Sequence, residues 1–93
     1  MNYLITYDIE NNKNRKKLSD LLEGYGYRVN YSVFECELTK SKLNQLLKTI
    51  KEDKLYNKNL DSIRFYHLCQ NCIPKSFEIT NRGDIFEEID FFI

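Results

Sequence analysis

The start of this chain has a strand-like pattern of residues, followed by apolar residues at the spacing of a helix. Residues 2–8 are rich in β-branched and aromatic types, which is typical of a strand. The asparagines of residues 11–14 then offer a cap for a helix. Apolar residues follow at the i, i+3, i+4, i+7 spacing of one helical face, namely Leu18, Leu21, Leu22 and Tyr25. The pattern predicts a strand and then a helix, which Gly24 ends in a left-handed conformation.

The stretch 27–38 is again strand-like, but it is long for a single strand of a small domain. A tight turn or bulge at residues 30–32 divides it into two strands. In the second of them, alternation places on one face Val33, Glu35 and Glu37, and on the other face Phe34, Cys36 and Leu38.

The second half of the chain repeats the helix-then-strand order. Thr39 caps a second helix, whose apolar positions have the same spacing as in the first helix. These positions are Leu43, Leu46, Leu47 and Ile50. Residues 52–60 are polar and predict a loop. Residues 61–69 alternate between apolar and polar types and predict a fourth strand.

The element order is therefore β-α-β-β-α-β, which predicts an α+β, ferredoxin-like domain over residues 1–80. In this arrangement both helices cover one face of an antiparallel sheet. Nothing in the same elements covers the other face, and the chain also has seven Tyr and six Phe, much bulky apolar surface for so small a core. A second copy of the chain is the economical cover, so the pattern predicts a homodimer.

The remaining residues form a C-terminal extension. Phe77 and Ile79 alternate with polar residues over 76–80, which predicts an extra, fifth strand. A turn signal follows at 81–84. Residues 85–93 are too apolar for a free tail, although their pattern fits a helix and a strand equally. We expect the extension over 81–93 to dock on its own domain or on a partner.

Charge is balanced over the whole chain, at a formal net value of zero, but it is unevenly distributed. Residues 1–60 contain eleven Lys and Arg against eight Asp and Glu, while residues 61–93 contain three against six. A local basic face on a neutral protein can bind phosphates. The lysines of the second helix and the loop after it fit a solvated surface better.

Targeting signals and cysteine content bear on the compartment. The N-terminal residues lack the pattern of a signal peptide, and no apolar run approaches the length of a membrane span. The chain has three cysteines, an odd number that predicts reduced thiols. We therefore expect a cytoplasmic protein with no membrane contact.

Asp8, at the end of the first strand, is the leading candidate for chemistry. Ligands gather at strand ends on the rim of a sheet, and a carboxylate there is a hard oxygen ligand of the kind Mg²⁺ prefers. In a symmetric dimer, the Asp8 of the second copy would supply a second carboxylate. The alternative is an aspartate that caps the following helix or lies in a turn, and patterning alone favours that alternative.

A basic cluster opens the first helix, immediately after the loop that contains Asp8. Its members are Arg15, Lys16 and Lys17. Positive charge at a helix N-terminus opposes the macrodipole, so the cluster gains most from binding a phosphate. A solvated basic turn explains the cluster equally well.

Two other patterns predict no site. His67, Cys69 and Cys72 supply only half of a zinc site, because no second cysteine pair exists. Ser32 has no base near it in the sequence, since the chain contains one histidine, so nucleophilic catalysis is unsupported.

Three segments of this chain resemble the Cas2 family of CRISPR-associated adaptation proteins. They are the strand end Tyr7-Asp8-Ile9 with its basic helix, the stretch 21–38, and the strand residues 62–66. The resemblance runs over residues 1–80 and is most specific over 22–38. Two positions depart from the family pattern: Asn30 replaces the usual Gln, and Lys17 replaces an Arg, which has the bidentate fork that Lys lacks.

The resemblance implies a ferredoxin-like homodimer with Mg²⁺-dependent endonuclease activity on single-stranded RNA or double-stranded DNA. It implies that Asp8 is the catalytic metal ligand. It matches Tyr7, Arg15, Lys17, Arg28 and Phe34 to supporting positions of the family. Together with the basic cluster, it predicts nucleic-acid binding by Arg15, Lys16, Lys17 and Arg28. It also implies a partnership with the CRISPR integrase Cas1 during spacer acquisition, with residues 76–93 docking on it. The alternative within the family is a non-catalytic scaffold that holds DNA between integrase dimers.

Overall fold

The computed structural model describes residues 1–80 and 85–86. Four strands, two α-helices and a short 3-10 helix follow one another in the order β-α-β-β-α-β. The strands are β1 (Asn2–Asp8), β2 (Tyr27–Asn30), β3 (Val33–Glu37) and β4 (Ser62–Leu68). The helices are α1 (Asn12–Glu23), α2 (Lys40–Glu52) and the 3-10 helix Ile73–Lys75. The predicted α+β, ferredoxin-like arrangement is confirmed.

The strands form one antiparallel sheet in the order β2-β3-β1-β4, so β1 lies inside the sheet with a neighbour on each side. Ile5 pairs with Phe34 of β3 and with Phe65 of β4. Because side chains alternate along a strand, these three residues share the face that the helices cover. The other face of the sheet, which we call the open face, carries Leu4, Thr6, Asp8, Val33, Glu35, Arg64 and Tyr66.

Both helices begin where the sequence predicts. The Asn11 side chain accepts a hydrogen bond from the backbone N–H of Asn14 over 2.9 Å, and Thr39 accepts one from Lys42 over 3.1 Å. The apolar stripe of each helix then packs on the sheet. The largest fully buried side chains are Phe34, Ile5, Leu18, Leu22, Leu38, Leu46 and Cys36. The core therefore lies between the helices and one face of the sheet.

Two glycines between α1 and β2 have different reasons to be there. Gly24 caps α1 with a φ of −78°, so the predicted left-handed conformation is wrong, and ordinary backbone bonds to Leu21 and Leu22 end the helix instead. Gly26 is required by space. A Cβ there would meet the carbonyl oxygen of Glu35 and the Sγ of Cys36, and would lie 2.8 Å from the Cα of Cys36.

The predicted fifth strand is not found in residues 76–80. The described sheet has four strands, and none of them pairs with this segment, although it alternates as a strand does. A strand exists only through hydrogen bonds to a neighbour, and alternation within a segment does not supply that neighbour. Phe77 and Ile79 are consequently 77% and 86% exposed.

One contact joins the described part of the C-terminal extension to the open face. The backbone N–H of Phe86 donates to Oε1 of Glu35 over 2.8 Å. Glu35 is buried, unlike the usual carboxylate on a sheet surface. The expected docking of the extension concerns residues 81–93, most of which lie outside the described residues.

No helix in residues 1–80 and 85–86 is both long enough and apolar enough to cross a membrane.

Candidate functional site

Asp8 is the last residue of β1, and its side chain is exposed on the open face of the sheet. Within the described residues the Asp8 side chain makes no hydrogen bond or ion pair. Asn11, and not Asp8, caps α1. The capping alternative from the sequence is therefore wrong, and the Asp8 carboxylate is available to a ligand.

The backbone on both sides of Asp8 is held in place. The N–H of Tyr7 donates to the carbonyl of Ser32 over 3.1 Å. After Asp8, the Arg15 guanidinium donates to the carbonyl of Ile9 over 2.7 Å, and the N–H of Glu10 donates to Oδ1 of Asp61 over 3.0 Å. The free carboxylate thus projects from a fixed backbone, as a preorganised ligand must.

Tyr7 and Phe34 support this position from the helix-covered face. Both are buried, and their rings stack with centroids 6.4 Å apart. The Tyr7 hydroxyl also donates to the carbonyl of Tyr31 over 3.2 Å. The pair links the end of β1 to β3 and to the turn before it, and a supporting role for these two residues stays a prediction.

Arg28 is exposed, but its guanidinium is bound to other groups of the same chain. Its guanidinium donates to the carbonyl of Tyr31 over 3.0 Å and to Ser19 and Glu23 of α1. It also lies 5.3 Å from the centroid of the Phe34 ring, within cation–π range. These contacts join β2 to α1. Nucleic-acid binding by Arg28 stays a prediction, and it would have to compete with these internal partners.

The basic cluster at the start of α1 divides into an inner and an outer part. Arg15 is half-buried and donates to Ile9 and to the side chain of Asn12. Lys16 is exposed and pairs with Asp20 over 3.2 Å. Lys17 is exposed and has no acidic partner in the part of the chain that the structure describes. Lys16 and Lys17 are therefore the members of the cluster that face solvent.

Sequence reasoning missed two residues close to Asp8. One carboxylate oxygen of Asp61 accepts a hydrogen bond from the backbone N–H of Glu10, and the other accepts one from the backbone N–H of Asn57 over 2.7 Å. Asp61 therefore fixes the loop after Asp8, and both of its oxygens already have a donor within the chain. Arg64 lies on the open face opposite Thr6, two residues along β4 from the partner of Asp8. A hydrogen bond to the Tyr66 hydroxyl, over 3.2 Å, raises the pKa of Arg64. Combining the alternation of β4 with an antiparallel register would have found Arg64.

A cavity of about 330 Å³ lies elsewhere, between α2, the loop after it and β4. It opens on the helix-covered side, where Leu47, Ile50 and Phe65 line it. Asp8 is not part of this cavity. The candidate site is therefore separate from this cavity, with Asp8 exposed where β1 ends.

The sequence profile of the family described as CRISPR associated protein Cas2 matches residues 1–76. This chain belongs to the Cas2 family. The match contains every element of the sheet and both α-helices, and it contains Asp8 with all of the contacts that hold its backbone.

Curated members of the Cas2 family are close in sequence. The chain is 58% identical over 66 residues to CRISPR-associated endoribonuclease Cas2 3 of Synechocystis sp., covering 71% of this chain and 70% of that protein. It is 44% identical over 90 residues to CRISPR-associated endoribonuclease Cas2 1 of Chloroflexus aurantiacus, covering 89% and 87%.

Solved Cas2 structures share the fold. The crystal structure of Streptococcus pyogenes Cas2 is 30% identical with a TM-score of 0.73, covering 85% of this chain and 99% of that one. A chain of a partial Cas6-RT-Cas1–Cas2 complex is 37% identical with a TM-score of 0.67, covering 94% and 98%.

A magnesium ion fits this Cas2 site in one way only. In residues 1–80 and 85–86, no group of three His, Cys, Asp or Glu side chains could hold a metal ion. Asp8 is a single free carboxylate. Mg²⁺ keeps several waters and often takes only one or two carboxylates, with substrate phosphates completing its shell. The residues therefore fit a water-rich site shared with substrate or a second copy, and do not fit a site closed within one chain.

His67, Cys69 and Cys72 were the other possible metal ligands in the sequence. These residues belong to no three-ligand metal cluster among the described residues. His67 instead stacks on Tyr3, with ring centroids 4.9 Å apart and planes inclined by 19°.

Proposed function

We propose that this protein is a metal-dependent endonuclease that takes part in CRISPR adaptation, with Asp8 as its catalytic metal ligand. One observation carries the proposal. The Asp8 carboxylate has no internal partner among the described residues, yet the backbone on both sides of it is fixed by Ser32, Arg15 and Asp61. A surface aspartate without a function does not require a backbone held in this way.

The second carboxylate comes from a second copy in this proposal. The open face carries partly buried apolar residues, among them Leu4 and Val33, next to Tyr66, which is 44% exposed. Burying such a face against its own copy removes it from water and generates a two-fold axis. Asp8 lies on that same face, so the symmetry supplies two carboxylates to one substrate.

Each residue of the site has a separate task in cleavage. Lys16 and Lys17, at the exposed start of α1, bind phosphates of the chain to be cut. Arg15 and Asp61 position the Asp8 backbone. The Asp8 carboxylate would hold a magnesium ion, which would supply Lewis-acid stabilisation of the phosphate and an activated water.

Single-stranded RNA is the first substrate to test, because the curated relatives are named endoribonucleases. Double-stranded DNA is the second. A partnership with the Cas1 integrase is supported by the related chain in the Cas6-RT-Cas1–Cas2 complex. Phe77 and Ile79 are exposed in the segment after the 3-10 helix, which belongs to none of the four described strands, and they suit addition of a strand to a partner.

The test compares Asp8→Asn with Asp53→Asn, a matched change at an exposed aspartate whose backbone N–H, and not its carboxylate, caps the far end of α2. Purified homodimer is incubated with single-stranded RNA and with duplex DNA, with Mg²⁺ and with a chelator. We expect cleavage by the unmodified protein and by Asp53→Asn, and none by Asp8→Asn or under chelation. Cleavage that survives Asp8→Asn would contradict the nuclease proposal.

A non-catalytic scaffold is the second candidate, and one observation favours it: among the described residues Asp8 belongs to no group of three possible metal ligands, while the nearby Lys16 and Lys17 are exposed. A scaffold predicts that the unmodified protein never cuts, while Asp8→Asn still binds duplex DNA and supports integration with Cas1. Loss of DNA binding in Asp8→Asn, with the dimer intact, would exclude this candidate.

A further inference from the structure

Cys69 and Cys72 lie at the two ends of a single tight turn. The turn follows β4 directly and precedes the 3-10 helix Ile73–Lys75. The backbone N–H of Cys72 donates to the carbonyl of Cys69 over 2.9 Å, which is the closing bond of a four-residue turn. Such a turn brings its end Cα atoms within about 7 Å of each other. A disulfide needs about 4.4–6.8 Å between Cα atoms, so the turn brings the two cysteines to the required range.

The position of Cys72 is fixed from its other side as well. Its carbonyl accepts hydrogen bonds from the N–H of Lys75 over 3.1 Å and from the hydroxyl of Ser76 over 2.9 Å. The second cysteine is therefore held by the 3-10 helix, while the first directly follows the last residue of β4. Closing a ring between two residues that are already held in place costs little chain entropy.

Access to solvent separates this pair from the third cysteine. Cys69 and Cys72 are both exposed free thiols, whereas Cys36 is fully buried beneath the helices. Thiol–disulfide exchange requires a thiolate that a small oxidant can reach. The chain thus contains two reachable thiols in one turn and one protected thiol that serves as an internal control.

We propose that Cys69 and Cys72 form a reversible dithiol–disulfide site, whose co-reactant is a low-molecular-weight disulfide such as oxidised glutathione. One cysteine thiolate attacks the glutathione disulfide, forms a mixed disulfide and releases one glutathione thiolate. The other cysteine thiolate attacks the protein sulfur of that mixed disulfide and releases the second glutathione. The protein loses two protons and two electrons, and one glutathione disulfide becomes two glutathione thiols.

The place of this site gives the reaction a structural effect. Along the chain the turn lies between the sheet and residues 76–80, where Phe77 and Ile79 are exposed. A covalent bridge across the turn fixes the direction in which the chain leaves β4. Exposed disulfides of this kind are the labile, regulatory ones. This site is independent of the proposed nuclease, since it involves neither Asp8 nor the basic cluster.

The test uses the full-length protein, equilibrated in buffers with increasing ratios of oxidised to reduced glutathione and then quenched with acid and alkylated in denaturant. Intact mass and peptide mapping count the free thiols and locate any bridge. We expect the chain to lose two thiols as one intrachain bridge between Cys69 and Cys72, reversed by reduced glutathione. Cys36→Ala should behave in the same way, and Cys69→Ser and Cys72→Ser should form no intrachain bridge.

Three results would overturn the proposal. One is that all three thiols persist in excess oxidised glutathione. Another is that oxidation stops at a mixed disulfide on Cys69 or Cys72. The third is that the only bridges formed join two chains, which non-reducing electrophoresis separates from intrachain ones. The double variant Cys69→Ser/Cys72→Ser, which leaves Cys36 in place, checks that the buried thiol does not account for the loss.

Discussion

The guanidinium of Arg15 donates a hydrogen bond of 2.7 Å to the main-chain carbonyl of Ile9, the residue that follows Asp8. This bond crosses from α1 to the loop after β1. It makes an arginine of the basic cluster part of the frame of the site, and leaves Lys16 and Lys17 as its solvent-facing charges.

Arg15→Ala should reduce both stability and cleavage. The substitution leaves the Ile9 carbonyl without its charged donor, a loss typically worth about 1.5–3 kcal/mol in the free energy of unfolding. It also releases the backbone beside Asp8, so the turnover rate should fall even where the protein remains folded. Urea denaturation and a single-turnover cleavage assay measure the two effects.

Lys16→Ala is the control for Arg15→Ala. Its ion pair with Asp20 is exposed on both sides, and such pairs contribute about 0.3–0.5 kcal/mol. Its unfolding midpoint should therefore stay close to that of the unmodified protein. An equal loss of stability in the two variants would show that Arg15 does not hold the loop.

Lys17→Ala should weaken nucleic-acid binding without affecting the fold. Lys17 is exposed and has no acidic partner in the described part of the chain, so its removal leaves no unsatisfied group. If it binds one phosphate, the slope of log affinity against log salt should become shallower by about one for duplex DNA. Fluorescence anisotropy at several salt concentrations measures that slope, and an unchanged slope would remove Lys17 from the binding surface.

Gly26→Ala should destabilise the protein strongly, while Gly24→Ala should not. The new Cβ at residue 26 would collide with backbone of β3, which cannot move without disturbing the sheet. We expect a loss of at least about 3 kcal/mol, on the scale of severe overpacking. At residue 24 the nearest atom is 3.4 Å away and φ is −78°, so alanine fits there and the effect should lie within about 1 kcal/mol. Thermal and urea unfolding of the two variants give the comparison.

Cys36 should make stability depend on pH in the alkaline range. Burial, and then the charge of Glu35, raise the pKa of its thiol from 9.0 to about 12. The unfolded chain therefore loses this proton near pH 9 while the folded chain retains it, so stability falls as pH rises from 9 towards about 12. Below pH 9 both states are protonated and the contribution is constant.

The measurement is the difference in unfolding free energy between the unmodified protein and Cys36→Ala across that pH range. Contributions from groups common to both proteins cancel in the difference. Cys69→Ala, at an exposed thiol, is the matched control and should keep the pH dependence of the unmodified protein. A difference that does not change with pH would contradict the raised pKa.

Local features of this fold could be predicted from the sequence because their causes are local. The caps Asn11 and Thr39, and the apolar stripes of both helices, need no knowledge of the rest of the chain. The prediction of a fifth strand at 76–80 was wrong because its cause is not local. A strand is defined by a neighbouring strand, which the sequence of the segment itself does not specify. The space requirement at Gly26 likewise depends on β3, which follows later in the chain.

The candidate site shows the same division. The position of Asp8 at a sheet rim follows from where β1 ends, and this was predictable. The residues that hold its backbone could not be predicted. Asp61 is separated from Glu10 by 51 positions, and no pattern in either segment indicates the contact. The internal partners of Arg28 were hidden in a similar way, since they come from α1, the β2–β3 turn and β3.

Because the Asp8 side chain has no partner among the described residues, a substitution there can change function without changing the fold. No described group depends on that carboxylate for folding, so exchanging its oxygen for an amide nitrogen leaves the frame as it was. If Asp8 cuts as proposed, a change of this one codon would remove cleavage and leave the fold intact, with no compensating change. For the laboratory, Asp8→Asn should serve as a bait that captures the natural substrate uncut and allows it to be sequenced.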